Sequence, residues 1–170
     1  MELFTLATDK PVKSGDVYTF SNGATYRGGI RNGKMHGKGT YEDANGSSYV
    51  GDWCEGMMHG VGVSKSSDGE SYDGQYYKGV PHGKGIYTFE NGNVYEGDYS
   101  QGKIHGFGTI RFPDMRRFEG QFKDNKKNGR GKYEGSNGIY EGNYVDGKKE
   151  GVGEFPNRDL IIAVPATFPE

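Results

Sequence analysis

Cysteine occurs once, at Cys54, and proline six times in 170 residues. A single thiol closes no intrachain disulfide, which fits a reducing compartment. Hydrophobic residues make up only 32% of the chain, and no apolar run approaches the roughly 18 residues of a membrane-spanning helix. The start MELFTLATDK lacks the basic and apolar regions of a secretory signal, so a cytosolic protein is expected and the Asn45-Gly46-Ser47 sequon reads as chance. Net charge is −2, without the basic footprint that electrostatic binding of nucleic acid requires, so no nucleic-acid partner is expected.

What the chain has in quantity is glycine and rings: 31 Gly, 13 Tyr and 9 Phe. Disordered chains are poor in aromatics, and collagen needs glycine at every third residue, so neither class fits. A thick two-layer core is also disfavoured, because the rings must supply a large share of all burial. No segment shows helical periodicity, which disfavours a helical bundle and a parallel α/β fold.

Self-similarity accounts for the composition. Aligning on an aromatic followed two residues later by Gly gives units that start at Tyr26, Tyr49, Tyr72, Tyr95, Phe118 and Tyr140, in steps of 23, 23, 23, 23 and 22 residues. In residues 72–94 the pattern is clearest: Tyr at position 1, Gly at 3, an aromatic at 5, Gly at 8, His-Gly at 11 and 12, Gly at 14, aromatics at 16 and 18, and Asn-Gly at 20 and 21. All four histidines, His36, His59, His82 and His105, fall at position 11.

These residues resemble the MORN repeat (membrane occupation and recognition nexus), whose units run close to Tyr-x-Gly-x-Trp-x-x-Gly-x-x-His-Gly-x-Gly. The resemblance divides the chain into a cap or tail (1–15), a half repeat (16–25), six repeats (26–48, 49–71, 72–94, 95–117, 118–139 and 140–162) and a C-terminal tail or cap (163–170). Departures collect toward the C-terminal end. Asn125 replaces the Gly of position 8, Asn128 and Glu150 replace His, and the last unit runs into Leu160-Ile161-Ile162-Ala163-Val164. Terminal repeats are commonly atypical because they cap an array. The apolar run is expected either to close the last hairpin or to join two chains into a homodimer.

Positions 1, 3 and 5 alternate with polar residues, as do 12, 14, 16 and 18, which is the period of a strand. The expected fold is all-β: a single-layer, elongated, twisted antiparallel sheet of tandem hairpins, with about 13 strands at about 4.8 Å each. Pairing position 5 with 12, 3 with 14 and 1 with 16 inside a unit, and 18 with the next position 1, sets rings beside glycines. Cross-strand pairs such as Tyr26 with Tyr41, Tyr72 with Tyr87 and Tyr140 with Phe155 follow.

Apparent chemical motifs reduce to the repeat. Gly28-x4-Gly33-Lys34 and Gly97-x4-Gly102-Lys103 match most of a phosphate loop but continue with Met35 and Ile104, where magnesium needs Ser or Thr. Histidines on adjacent units stand about two strand spacings apart, too far to share an ion, and are expected to bond loop backbone through their rings. Asp52, Asp73, Glu96, Asp98, Glu119 and Glu141 sit at positions 2 or 4 and should form a solvated stripe, not the converging pair that acid–base catalysis needs. Cys54 has no distinguishable histidine partner. Neither a cofactor nor an enzymatic activity is expected.

Binding remains. The resemblance implies a scaffold that holds an elongated partner, a helix or extended peptide, in cytoskeletal assemblies such as cilia, flagella and basal structures. The rings expected to touch it are Trp53, Tyr76, Tyr99, Phe122 and Tyr144 at position 5, with Tyr87 and Phe89 beside them; their other role is sheet cohesion. Apolar loop residues Met35, Met57, Met58, Val80, Pro81 and Ile104 suggest a docking strip. As an alternative, Lys123, Lys126, Lys127, Arg130, Lys132, Lys148 and Lys149, with Arg116 and Arg117 nearby, make the C-terminal third basic and suited to anionic lipid headgroups. The family also permits a regulatory subunit for a separate enzyme.

Overall fold

The computed structural model describes residues 9–136 and 138–154. Among these, one antiparallel sheet of 14 strands runs in strict chain order. Its first half is β1 (Val12–Ser14), β2 (Val17–Thr19), β3 (Thr25–Arg31), β4 (Lys34–Glu42), β5 (Ser48–Cys54), β6 (Met57–Lys65) and β7 (Ser71–Tyr77). β8 (Val80–Thr88), β9 (Val94–Ser100), β10 (Lys103–Arg111), β11 (Arg117–Lys123), β12 (Lys126–Gly135), β13 (Gly138–Val145) and β14 (Lys148–Glu154) complete it. Each full unit is one hairpin, from β3–β4 to β13–β14. The strand beyond the expected 13 is β1, from the segment read as a cap or tail.

Hairpin tips follow from two left-handed residues. Positions 7 and 8 both have positive φ in every unit, as at Lys78 (50°) and Gly79 (87°), which is the type I′ turn that suits strand twist. Asn125 replaces Gly at position 8 with φ 69°, tolerable because Asn is among the few non-glycine residues that visit this region. Each tip also bonds its neighbour: the amides of Gly56, Gly79, Gly102 and Asn125 donate to the carbonyls of Met35, Met58, Pro81 and Ile104.

The register differs from the expected one in two places. Within a unit, 1 pairs with 16 and 3 with 14 as foreseen, but 5 pairs with 10 rather than 12, as in Tyr76 with Pro81. A bulge lies between: His82, Gly83 and Lys84 stand against Gln75 alone, with Gly83 at φ 65°, so two extra residues enter the hairpin ladder while Gly83 still pairs with Tyr99 of the next unit. Between units, 16 pairs with the next 1 and 14 with the next 3, as in Tyr87 with Tyr95 and Gly85 with Gly97, a two-residue shift. The inter-unit turn sets this: the Phe89 amide donates to the Asn93 carbonyl and the Gly92 amide to the Phe89 carbonyl. Because the shift is even, every side chain keeps its face.

The consequence is a continuous glycine row, from Gly28 and Gly39 through Gly74 and Gly85 to Gly131 and Gly142. A β-carbon at Gly74 would lie 2.6 Å from the Gly85 α-carbon, and one at Gly85 would overlap the Tyr72 ring. Position-1 rings therefore lie over glycines of their own strand and, diagonally, of the next. Their hydroxyls satisfy carbonyls that the bulge frees: Tyr26 donates to Gly29, Tyr49 to Asp52, Tyr72 to Gln75 and Tyr95 to Asp98, all at 2.9–3.0 Å.

Three outcomes follow. Tyr72→Phe should lower stability by about 1 kcal/mol in urea unfolding, the worth of one hydrogen bond, whereas Gly85→Ala should cost about 3 kcal/mol by overpacking the ring. Met115, at φ 68° where the first three units carry Gly, is 93% exposed; Met115→Gly should raise stability by about 1 kcal/mol, because a left-handed β-carbon clash is relieved and no contact is lost.

Candidate functional site

The rings expected to meet a partner lie elsewhere than on a free surface. Trp53, Tyr76, Tyr87, Tyr99, Phe122 and Tyr144 are buried, and Phe89 is partly buried against them. Each position-5 ring inserts edge-on between position-1 rings. The result is one unbroken series: Tyr26, Trp53, Tyr49, Tyr76, Tyr72, Tyr99, Tyr95, Phe122, Phe118, Tyr144 and Tyr140, with centroids 5.0–5.7 Å apart and planes at 78–90°. Edge-to-face pairs contribute about 0.5–1.5 kcal/mol each beyond area burial, so cohesion is the work of these rings. Where position 16 is Ser64 instead of an aromatic, its hydroxyl pairs with the Tyr76 hydroxyl at 2.6 Å. Phe155 lies outside the described residues; Tyr26–Tyr41 and Tyr72–Tyr87 are paired in register as expected.

The acidic stripe is more engaged than a solvated row. The bulge at the His-Gly pair frees the amide of position 13, and the side chain at position 4 accepts from it: Asp52 from Val61, Gln75 from Lys84, Asp98 from Phe107 and Gln121 from Arg130, at 2.9–3.0 Å. Asp52 and Asp98 also hold Lys38 and Lys84 of the preceding units at 2.7 and 2.6 Å. The Lys38 ammonium and the Val61 amide hold the Asp52 carboxyl below the usual carboxylate range. Glu96, Glu119 and Glu141 pair with Arg111, Arg117 and Arg130. No two of these acids converge on a cleft.

The histidine rings make no hydrogen bond to loop backbone among the described residues. Their contribution is the bulge carbonyl, as where Tyr49 donates to His59 at 3.3 Å, while the rings of His59 and His82 flank Tyr77 at 5.5 and 5.8 Å. No group of three or more His, Cys, Asp or Glu side chains among the described residues is placed to hold a metal ion. Gly33 and Gly102, of the near phosphate loops, belong to hairpin turns between strands.

The basic residues do not form one solvated row. Lys126 pairs with Asp146 at 3.2 Å, Arg130 with Glu141 at 3.3 Å and Lys132 with Glu134 at 2.7 Å. Lys127 and Lys149, at position 10, turn onto the ring face, 4.3 Å from the Phe118 centroid and 4.2 Å from that of Tyr140. That leaves exposed Lys123 and Lys148 without an acidic partner among the described residues. The apolar loop strip is reduced too. Met35, Pro81 and Ile104 are buried and Met58 is half-buried, leaving Met57 and Val80 exposed.

The opposite face carries what the sequence reading passed over. Val50, Val61, Ile86 and Phe107 are 53%, 55%, 42% and 52% exposed. They line two shallow troughs above the glycine row, of about 470 Å³ (with Thr40, Val63 and Asp73) and about 510 Å³ (with Lys84, Glu96, Thr109 and Arg111). The signal was present: positions 2, 13 and 15 point away from the rings, and strand alternation calls for polar residues there.

The MORN repeat model matches residues 26–48, 49–71, 72–94, 95–114, 118–139 and 140–159. The chain belongs to the MORN-repeat family. A comparison with curated proteins found no match. MORN repeats are typically protein- or lipid-binding modules on an all-β scaffold that is typically non-enzymatic.

Burial marks the titration of this MORN array. Desolvation is the largest cause that raises the hydroxyl pKa of Tyr26, Tyr49, Tyr72, Tyr76, Tyr87, Tyr95, Tyr99, Tyr140 and Tyr144 above the ordinary 10.0. A raised folded-state value means stability that is complete below the unfolded pKa of about 10 and is lost as pH climbs past it. Lys127 and Lys149, depressed by burial, slope the opposite way but are outnumbered. Absorbance at 295 nm should therefore show these tyrosines ionising together with unfolding, in one steep step above about pH 10. Gradual tyrosinate formation with the circular dichroism unchanged would contradict the burial.

Proposed function

We propose that the chain is a non-enzymatic scaffold that binds an elongated protein partner across its strands. The observation that carries this reading is the exposed strip of Val50, Val61, Ile86 and Phe107, which lies on an open sheet face and spans β5 to β10. A single-layer sheet gains its stability from the ring side and the glycine row, so apolar residues on the other side add nothing to cohesion. Asp73 and Glu96 beside the strip suit an amphipathic helix or extended segment whose apolar edge is flanked by Lys or Arg. The MORN resemblance supports a setting in a cytoskeletal assembly such as a cilium or flagellum.

Lipid binding through the basic C-terminal surface is the weaker reading. Of its seven side chains, Lys126, Arg130 and Lys132 are paired with acids and Lys127 and Lys149 are turned onto rings. End-to-end dimerisation through Leu160 to Val164 concerns a segment outside the described residues.

Introducing Val61→Glu together with Phe107→Glu should leave unfolding within about 0.5 kcal/mol, as expected for exposed sites. Affinity capture from the source cell should at the same time lose its partner at least tenfold. Capture that is unaffected by the double variant would refute this face, and Tyr76→Ala should by contrast lose partner and fold together.

A further inference from the structure

Position 10 lies opposite position 5 in the paired strand, a ring in every unit but the first, where it is Ile30, and in the first four units position 10 is apolar: Met35, Met58, Pro81 and Ile104. In the last two it is Lys127, opposite Phe122, and Lys149, opposite Tyr144. The Lys127 ammonium stands among four rings, at 5.9 Å from Phe112, 4.3 Å from Phe118, 5.7 Å from Tyr133 and 5.9 Å from Tyr144. Lys149 stands 5.3 Å from Tyr133 and 4.2 Å from Tyr140. Both ammonium groups thus lie within 6 Å of one ring, that of Tyr133, and Arg116 reaches the same hydroxyl at 3.3 Å.

Rings attract a cation through their quadrupole but carry no net charge to cancel it. Neither lysine has a carboxylate within ion-pair distance among the described residues, whereas their neighbours Arg116, Lys126, Arg130 and Lys132 each have one. The charges therefore remain uncompensated against the rings, Lys127 half-buried and Lys149 exposed, and burial, followed by the nearby Lys149 and Arg116 charges, lowers the Lys127 pKa. An incoming anion would supply what the fold omits.

We propose that Lys127 and Lys149 form a paired carboxylate-binding site on the ring face, which takes two acidic side chains from a segment of a protein partner. This rests on the protein-binding reading and adds a second contact to it. Carboxylates two residues apart on an extended segment, or three to four apart on a helix, lie on one side of their chain and so can face the two ammonium groups together. An anionic bilayer fits less well, because a flat contact would also need Lys126, Arg130 and Lys132, which are held in ion pairs with Asp146, Glu141 and Glu134.

The probe is a synthetic peptide of alternating Glu and Ala, titrated at low salt against the full chain with carbon-13-labelled lysine side chains. Saturable binding that shifts the Lys127 and Lys149 resonances is expected. Lys127→Met with Lys149→Met, which copies the Met found at this position in the first two units, should weaken binding at least tenfold with the thermal midpoint preserved. Lys123→Met with Lys148→Met removes the same net charge from lysines that stand over no ring and should change affinity less than twofold. If the first pair lowers the midpoint, Lys127→Arg with Lys149→Arg keeps the cations on the rings and should retain binding. The proposal is overturned if the wild-type chain ignores the peptide, if both methionine pairs weaken it equally, or if vesicles containing phosphatidylserine shift the two resonances while the peptide does not. Such a failure, with capture still sensitive to Val61 and Phe107, would leave the scaffold reading standing.

Discussion

A tyrosine ring lying flat on two glycines is the contact from which the rest of this sheet follows. It requires backbone where other strands have β-carbons, so positions 3 and 14 align as one glycine row. Glycine weakens an ordinary strand, because it packs nothing and loses more freedom on folding. Here the deficit is offset by ring burial repeated at each unit. A ring that lies down also leaves its neighbours room to stand edge-on, and position 5 uses that room.

The bulge is the second half of the same device. By bulging at His-Gly, the second and third hairpins free a carbonyl at position 4 and an amide at position 13, both of which would be costly if left unpaired. The tyrosine hydroxyl takes the first and the Asp or Gln at position 4 takes the second. Phe118 keeps the ring without the hydroxyl, which shows that ring packing and polar satisfaction are separable requirements.

An array held together on one face is free to vary on the other. The exposed valines, Ile86 and Phe107 contribute nothing to the ring row, and the lysines at position 10 keep its packing while they change its charge. Partner-specific chemistry can therefore differ from unit to unit without disturbing the period that stabilises the fold.

The 23-residue period, the all-β class, the tip turns and the antiparallel order were legible in Tyr26, Gly33, Tyr49, Gly56 and their counterparts, because those residues act within one hairpin. Phe107 and Val61 were legible too, as apolar residues on a polar face, but ring abundance drew attention to the other side. Register was legible only at positions 1 and 3 within a hairpin. Whether Gly83 continues a regular ladder or forms a bulge depends on the sign of its φ, and spacing alone is compatible with either. The accessibility of Trp53 or Tyr99 was decided by rings one unit away, and the place of Lys127 by Phe112 of the turn after β10, Tyr133 of β12 and Tyr144 of β13. Local sequence thus determined which hairpin each unit makes and which face each residue takes. Only the assembled sheet decided which rings are covered and which charges are left without a partner, because burial and electrostatic compensation belong to neighbours that the chain brings together across strands.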